Sequence, residues 1–200
     1  MAAVTTPTET TRERLIAAAI EVFAAQGYDG ARVQDIARAA GLTTGAIYAN
    51  YRGKAELLFD AIGALAGVEV DALLQQAQGR DARDVLEQLG ASLTHAREHR
   101  PALLLDAVVA ARRDAELAAL LRARVASREA QMCELVDRAR VAGAIDSGTD
   151  AETLAYYCTT VAMGALVMRT LEHAPPNQDD WQALIHRLVG ALAPQQERGT

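Results

Sequence analysis

Lysine is nearly absent from this chain of 200 residues: one lysine, Lys54, stands against nineteen arginines. Aromatic residues make up only 4 %, too few for the pleated, aromatic-rich strands of a β-sandwich or barrel. No apolar run reaches the roughly 18 residues that a membrane-spanning helix needs. The opening MAAVTTPTETTRER is polar and has no apolar stretch of the secretory type. The two cysteines, Cys133 and Cys158, show no metal-ligand spacing, and both fall inside helical patterns. A reduced, cytoplasmic protein without a cofactor or metal is expected.

What is present in quantity is alanine and leucine. Alanine alone occupies 43 positions, and half of the chain is hydrophobic. No segment alternates with a strand's period of two, so the expected class is all-α, with about nine helices. The paucity of lysine and excess of alanine fit a GC-rich bacterial genome. The net charge is −6, which excludes a surface coated for nucleic acid. It is unevenly spread, because residues 1–55 carry a net +1 and residues 56–200 a net −7.

Apolar periodicity and cap residues divide the chain. Leu15, Ile16, Ala19, Ile20 and Phe23 form one stripe of a first helix, expected over 10–26 and stopped by Gly27. Short helices follow at 33–40 and 44–50, and a longer one starts near Lys54. Gly79 separates it from a fifth helix bearing Val85, Leu86, Leu89 and Leu93, and Pro101 opens a sixth. Asp114 can cap a long seventh helix that ends at Gly143. Thr149 and Glu152 have capping-box spacing for an eighth, and Asn177 can cap the ninth. The expected division falls at 55/56: a three-helix head, then a larger bundle.

The segment IARAAGLTTGAIYANYRGKAEL, beginning at Ile36, is too polar for core and too regularly spaced for a linker. Ala37 is small enough for a close helix crossing, and Gly41, four residues on, allows a positive φ. Ile47, six further, seals the second helix on the first. That spacing is a helix-turn-helix. With Ile47 inward, Thr43, Thr44, Ala46, Tyr48, Ala49 and Asn50 face outward, where hydroxyls and the free N–H groups of a helix start can meet phosphate or base edges. Gly45 and the two alanines leave room for the helix to sink into a major groove. Arg32, Gln34, Tyr51 and Lys54 complete the expected DNA-facing set, and Arg12, Arg14 and Arg52 are further phosphate candidates.

Residues 10–58 resemble the DNA-binding head of the TetR family of bacterial regulators. The matching elements, in order, are F-x-x-x-G-Y from Phe23, D-I-A-x-x-A-G-L from Asp35, T-x-G-x-x-Y-x-x-Y from Thr43 and K-x-x-L-L from Lys54. The chain departs from the family in having Asn50 for a frequent His, Tyr51 for a frequent Phe, and Arg32 for a frequent Ser or Thr. The last change removes a helix-capping oxygen and adds a charge. The resemblance implies a homodimer on a palindromic double-stranded operator, with a pocket for a small-molecule effector.

In the body the dimer stripe implied is Leu154, Tyr157, Val161, Ala165 and Met168 on the eighth helix, with Trp181, Leu184, Ile185, Leu188 and Leu192 on the ninth. Polar residues in apolar surroundings mark a pocket expected between the fourth and eighth helices: His95, His99, Asp106, Arg112, Tyr156 and Tyr157, with Met132 and Met163 as adaptable walls. An apolar or amphipathic effector would suit them. An enzyme is the competing class, but the four histidines show no paired Glu-x-x-His, and no phosphate loop or nucleophile elbow occurs. A dimeric helical scaffold without DNA affinity would leave the Thr-Thr-Gly, Tyr and Lys constellation without a purpose.

Overall fold

A computed structural model of the chain describes residues 10–66, 80–94 and 101–194. Among the described residues there are nine helices and no strand. They are α1 (Thr11–Gly30), α2 (Val33–Ala39), α3 (Thr44–Asn50), α4 (Lys54–Ala66), α5 (Ala82–Ser92), α6 (Pro101–Ala110), α7 (Ala115–Val141), α8 (Ala151–Thr170) and α9 (Gln178–Gly190). The Gly79 divider, His95 and His99 lie outside the described residues.

Local chemistry explains most of the boundaries. Thr10 and Glu13 close a reciprocal capping box on α1, whose T-x-x-E signature stands in the sequence. The stop expected at Gly27 is a break, since Gly27 takes φ 67° and one further turn carries the helix to Gly30. Asp114 receives the Leu117 N–H at 3.0 Å and so starts α7. Gly143, at φ 72°, lies just past the end of that helix. Asn177 accepts from the N–H groups of Asp179 and Asp180 and starts α9. The capping box expected from Thr149 and Glu152 is not formed. Asp150 caps α8 instead, taking the Thr153 N–H at 2.8 Å, because a carboxylate one residue nearer the helix is an equally good cap.

The chain divides into two compact units. The first joins the residues up to Leu65 with Ala102–Leu121. Its core is one apolar cluster that includes Leu15, Phe23, Ile36, Ile47, Leu57, Leu58, Ile62, Leu103 and Leu117. Fully burying side chains of this size is worth about 1.5–3 kcal/mol each. Helices α1 to α4 thus share their core with α6 and the first turns of α7. The second unit joins residues 66–101 with 122–200. Its core gathers Val85, Leu89, Met132, Leu135, Val136, Ile145 and Ala155. There α9 lies on α5, where Ile185 packs so closely over Gly90 that an added Cβ would come within 2.7 Å of its Cγ2. The Trp181 indole N–H donates to the Gly90 carbonyl at 3.0 Å.

Candidate nucleic-acid interface

The α2–turn–α3 segment is built from the inside out. Ile36, Ala37 and Ile47 are buried in the first unit's core. At the turn Gly41 has φ 63°. The Leu42 N–H reaches the Ala37 carbonyl at 2.9 Å and the Gly41 N–H reaches that of Arg38 at 3.1 Å, the paired bonds of a Schellman turn. Thr43 then caps α3, its hydroxyl accepting the Ala46 N–H at 3.3 Å. The α2 N-terminus begins at Arg32 with no side-chain cap, as a residue without a short acceptor dictates.

With Ile47 fully buried, Thr43, Gly45, Tyr48, Ala49 and Asn50 lie exposed along α3, and Thr44 and Ala46 are half-buried. Tyr48 is 60 % exposed, a large aromatic ring left in solvent. A Cβ added at Gly45 would sit 3.6 Å from the Thr43 hydroxyl oxygen, an ordinary contact. The packing around α3 would therefore admit a side chain at this position. Asn50 donates its Nδ2 to the Ala46 carbonyl at 2.8 Å, which leaves its amide oxygen for another partner. Arg32 and Gln34 are exposed at the start of α2.

Several residues of the expected set do other work. Tyr51 is a correction: it is only 5 % exposed, its hydroxyl is sealed from solvent, and burial pushes its phenol pKa up. It stands just past the end of α3 in extended conformation, its N–H bonded to the Ile47 carbonyl at 2.8 Å. Lys54 is turned inward. Its ammonium donates to the Tyr28 carbonyl at 2.7 Å and the Ala31 carbonyl at 3.3 Å, and stands 4.3 Å from the centre of the Tyr28 ring. These are the free carbonyls at the end of α1, where a cation is favoured. Arg12 pairs with Asp60 on α4, and Arg14 donates to the carbonyls of the helix-turn-helix turn. Arg52 pairs with Glu56, one turn along.

The body residues separate likewise. Met132 is core, Asp106, Arg112, Tyr156 and Tyr157 are exposed, and Met163 is half-buried. Apart from the tyrosines Tyr28 and Tyr51, no polar or charged residue is buried among the described residues. A shallow cavity of about 260 Å³ lies between α5 and α9, lined by Asp84, Glu87, Gln88, Ala91, Gln182 and Ile185. No residue expected to hold an effector lines it, and it is smaller and more polar than usual ligand pockets. Of the expected dimer stripe, Ile185 and Trp181 turn inward onto α5. Tyr157, Met168, Leu184 and Leu188 stay exposed, and Leu154, Val161, Ala165 and Leu192 are half-buried.

Ala37 and Ile47, buried on either side of the positive-φ turn at Gly41, present Thr, Gly, Tyr and Asn on one short helix, which defines a helix-turn-helix DNA-binding head. Residues 15–61, the head of this chain, match the family described as "Bacterial regulatory proteins, tetR family". A 50-residue stretch is 54 % identical to the HTH-type transcriptional regulator SrpR of Pseudomonas putida, covering 25 % of this chain and 24 % of that one. The chain thus spans about a quarter of that relative's length. Among solved structures, Salmonella enterica GusR superposes with a TM-score of 0.73 at 18 % identity, over 94 % of this chain and 98 % of that one. The Bacillus subtilis regulator FadR, solved in complex with stearoyl-CoA, gives 0.65 at 18 % identity, over 90 % and 96 %. At such identities these two agree in fold alone. SrpR, similar over the head, is described as a transcriptional regulator.

Proposed function

We propose that this chain is a cytoplasmic transcriptional regulator, acting as a repressor that binds a palindromic operator as a homodimer. The observation that carries this reading is the exposed face of α3, with Thr43 and Thr44 at its start and Tyr48 and Asn50 beyond, held by a buried Ile47. Thr44 hydroxyl and the first N–H groups of α3 meet phosphate, Gly45 lets the backbone come close, and Tyr48 and Asn50 offer a phenol and an amide to backbone or base. Arg32 supplies a cation from α2. The functional division at 55/56 assigns this head to DNA and the remainder to effector and partner.

Such a small head reads only a few base pairs, so useful specificity calls for two heads on half-sites about 34–36 Å apart or a multiple of that. The exposed apolar residues of α8 and α9 support self-association through those helices. Release would follow binding of a small apolar or amphipathic effector, a class suggested by the stearoyl-CoA bound to the FadR neighbour. That effector must favour the DNA-incompetent conformation, because equal affinity for both states shifts nothing.

The test is fluorescence anisotropy with DNA from the gene's own upstream region, across a salt series, for wild type and Tyr48→Ala. Tight, salt-steep binding that the variant weakens by about tenfold or more supports the reading. Binding no tighter than to random DNA, there and in a selection over genomic fragments, gives way to the scaffold alternative.

A further inference from the structure

The Schellman turn between α2 and α3 satisfies the Ala37 and Arg38 carbonyls and leaves those of Ala40 and Gly41 pointing away from the helix. Arg14, a half-buried residue in the first turns of α1, fills that gap. Its Nη2 donates to the Ala40 carbonyl at 2.6 Å and lies 3.4 Å from that of Gly41. The same nitrogen would stand 3.1 Å from a Cβ added at Gly41, so guanidinium and glycine fit one another. Two residues later Thr43 caps α3. The exit of α2 and the entry of α3 are therefore tied through one side chain to α1.

We propose that Arg14 is a positioning residue for DNA recognition: it sets the angle at which α3 is presented, and it does not contact phosphate. The inference rests on the DNA-binding reading above. A cation half-buried on two carbonyls is engaged at the point where a phosphate would compete for it. A planar guanidinium holds such a pair of acceptors in fixed geometry, whereas an ammonium is a point charge on a flexible stem. Loss of Arg14 thus loosens the register of Thr44, Tyr48 and Asn50 against base edges while leaving the phosphate contacts of the head in number as they were.

The distinguishing experiment compares wild type, Arg14→Gln and Arg14→Lys on the operator fragment and on random duplex, each across a salt series, with helicity followed by circular dichroism. Positioning predicts that Arg14→Gln loses about tenfold on the operator and less than about twofold on random duplex. It also predicts an unchanged slope of log affinity against log salt, and incomplete rescue by Arg14→Lys. A phosphate contact would weaken both DNAs in parallel, flatten the slope by about one, and be restored by lysine. That result overturns the proposal, as does loss of helicity in both variants, which would make Arg14 a requirement of folding. If wild type shows no preference for the operator, the DNA-binding reading fails instead. Faster amide exchange at Gly41 and Leu42 in Arg14→Gln then reports on the brace separately.

Discussion

The Tyr28 hydroxyl donates to the Asp114 carboxylate at 2.5 Å, joining residues 86 positions apart in the sequence. Tyr28 closes α1 and Asp114 opens α7, so the bond fixes the end of one helix to the start of another within the first unit. Lys54, at the start of α4, donates to the Tyr28 carbonyl and stands over its ring. Three helix termini meet on one tyrosine. A mutant cycle of Tyr28→Phe and Asp114→Ala should give a coupling of about 1–2 kcal/mol by urea unfolding. A coupling near zero would mean the pair is solvated in solution.

The same carboxylate makes stability depend on pH. The Leu117 N–H, and next the Tyr28 hydroxyl, hold the Asp114 pKa below the ordinary carboxylate value. A depressed folded pKa means the contribution is complete above the unfolded value, about 3.9, and is lost as pH falls through the folded one. Wild type should therefore lose more in Tm between pH 5 and pH 3 than Asp114→Asn does. Glu13 and Asp150 are depressed by their own capping bonds and titrate in the same window, so the variant reduces the acid sensitivity without abolishing it. Equal Tm losses in the two proteins would exclude Asp114 from the effect.

Residues whose role is settled within a few positions were readable from sequence. Ala37, Gly41 and Ile47 announced the turn because a tight helix crossing demands those types at those spacings, and Asp114 and Asn177 announced their helices because caps are local. Lys54 and Arg14 were not readable. A long cation reaches carbonyls that only the tertiary fold brings near, at positions 28 and 31 for one and 40 and 41 for the other. The stripe on α9 misled differently: residues one apart are turned about 100° on a helix, so a five-residue stripe spans two partners. Trp181 and Ile185 went to α5, while Leu184 and Leu188 did not. No periodicity separates those pairs without knowing where α5 lies.

Two glycines of the head should respond in opposite ways. Gly41→Ala forces a Cβ into a φ of 63° and against Arg14, and should cost about 1–2 kcal/mol of stability. Gly45→Ala meets only an ordinary contact and should leave stability unchanged or raise it by up to about 1 kcal/mol. Its added methyl nevertheless stands on the face proposed to meet DNA, so operator affinity should fall while Tm does not. Thermal unfolding and anisotropy on the same two variants check both halves. A Gly45→Ala protein with full affinity would remove α3 from close contact with the groove.

The two faces of α9 give the last contrast. Ile185 is buried over Gly90, so Ile185→Ala should cost about 2–5 kcal/mol of unfolding free energy. Leu184 and Leu188 are 44 % and 48 % exposed and belong to neither core cluster of the described residues. Leu184→Glu with Leu188→Glu should leave the folded protomer intact but convert a dimer into monomers in sedimentation velocity, since carboxylates cannot be buried across a two-fold axis against their own copies. Operator binding should fall with it, because one head alone holds a single half-site. If the double variant stays dimeric and binds as before, α9 is not the mating surface, and the exposed residues of α8 become the place to substitute next.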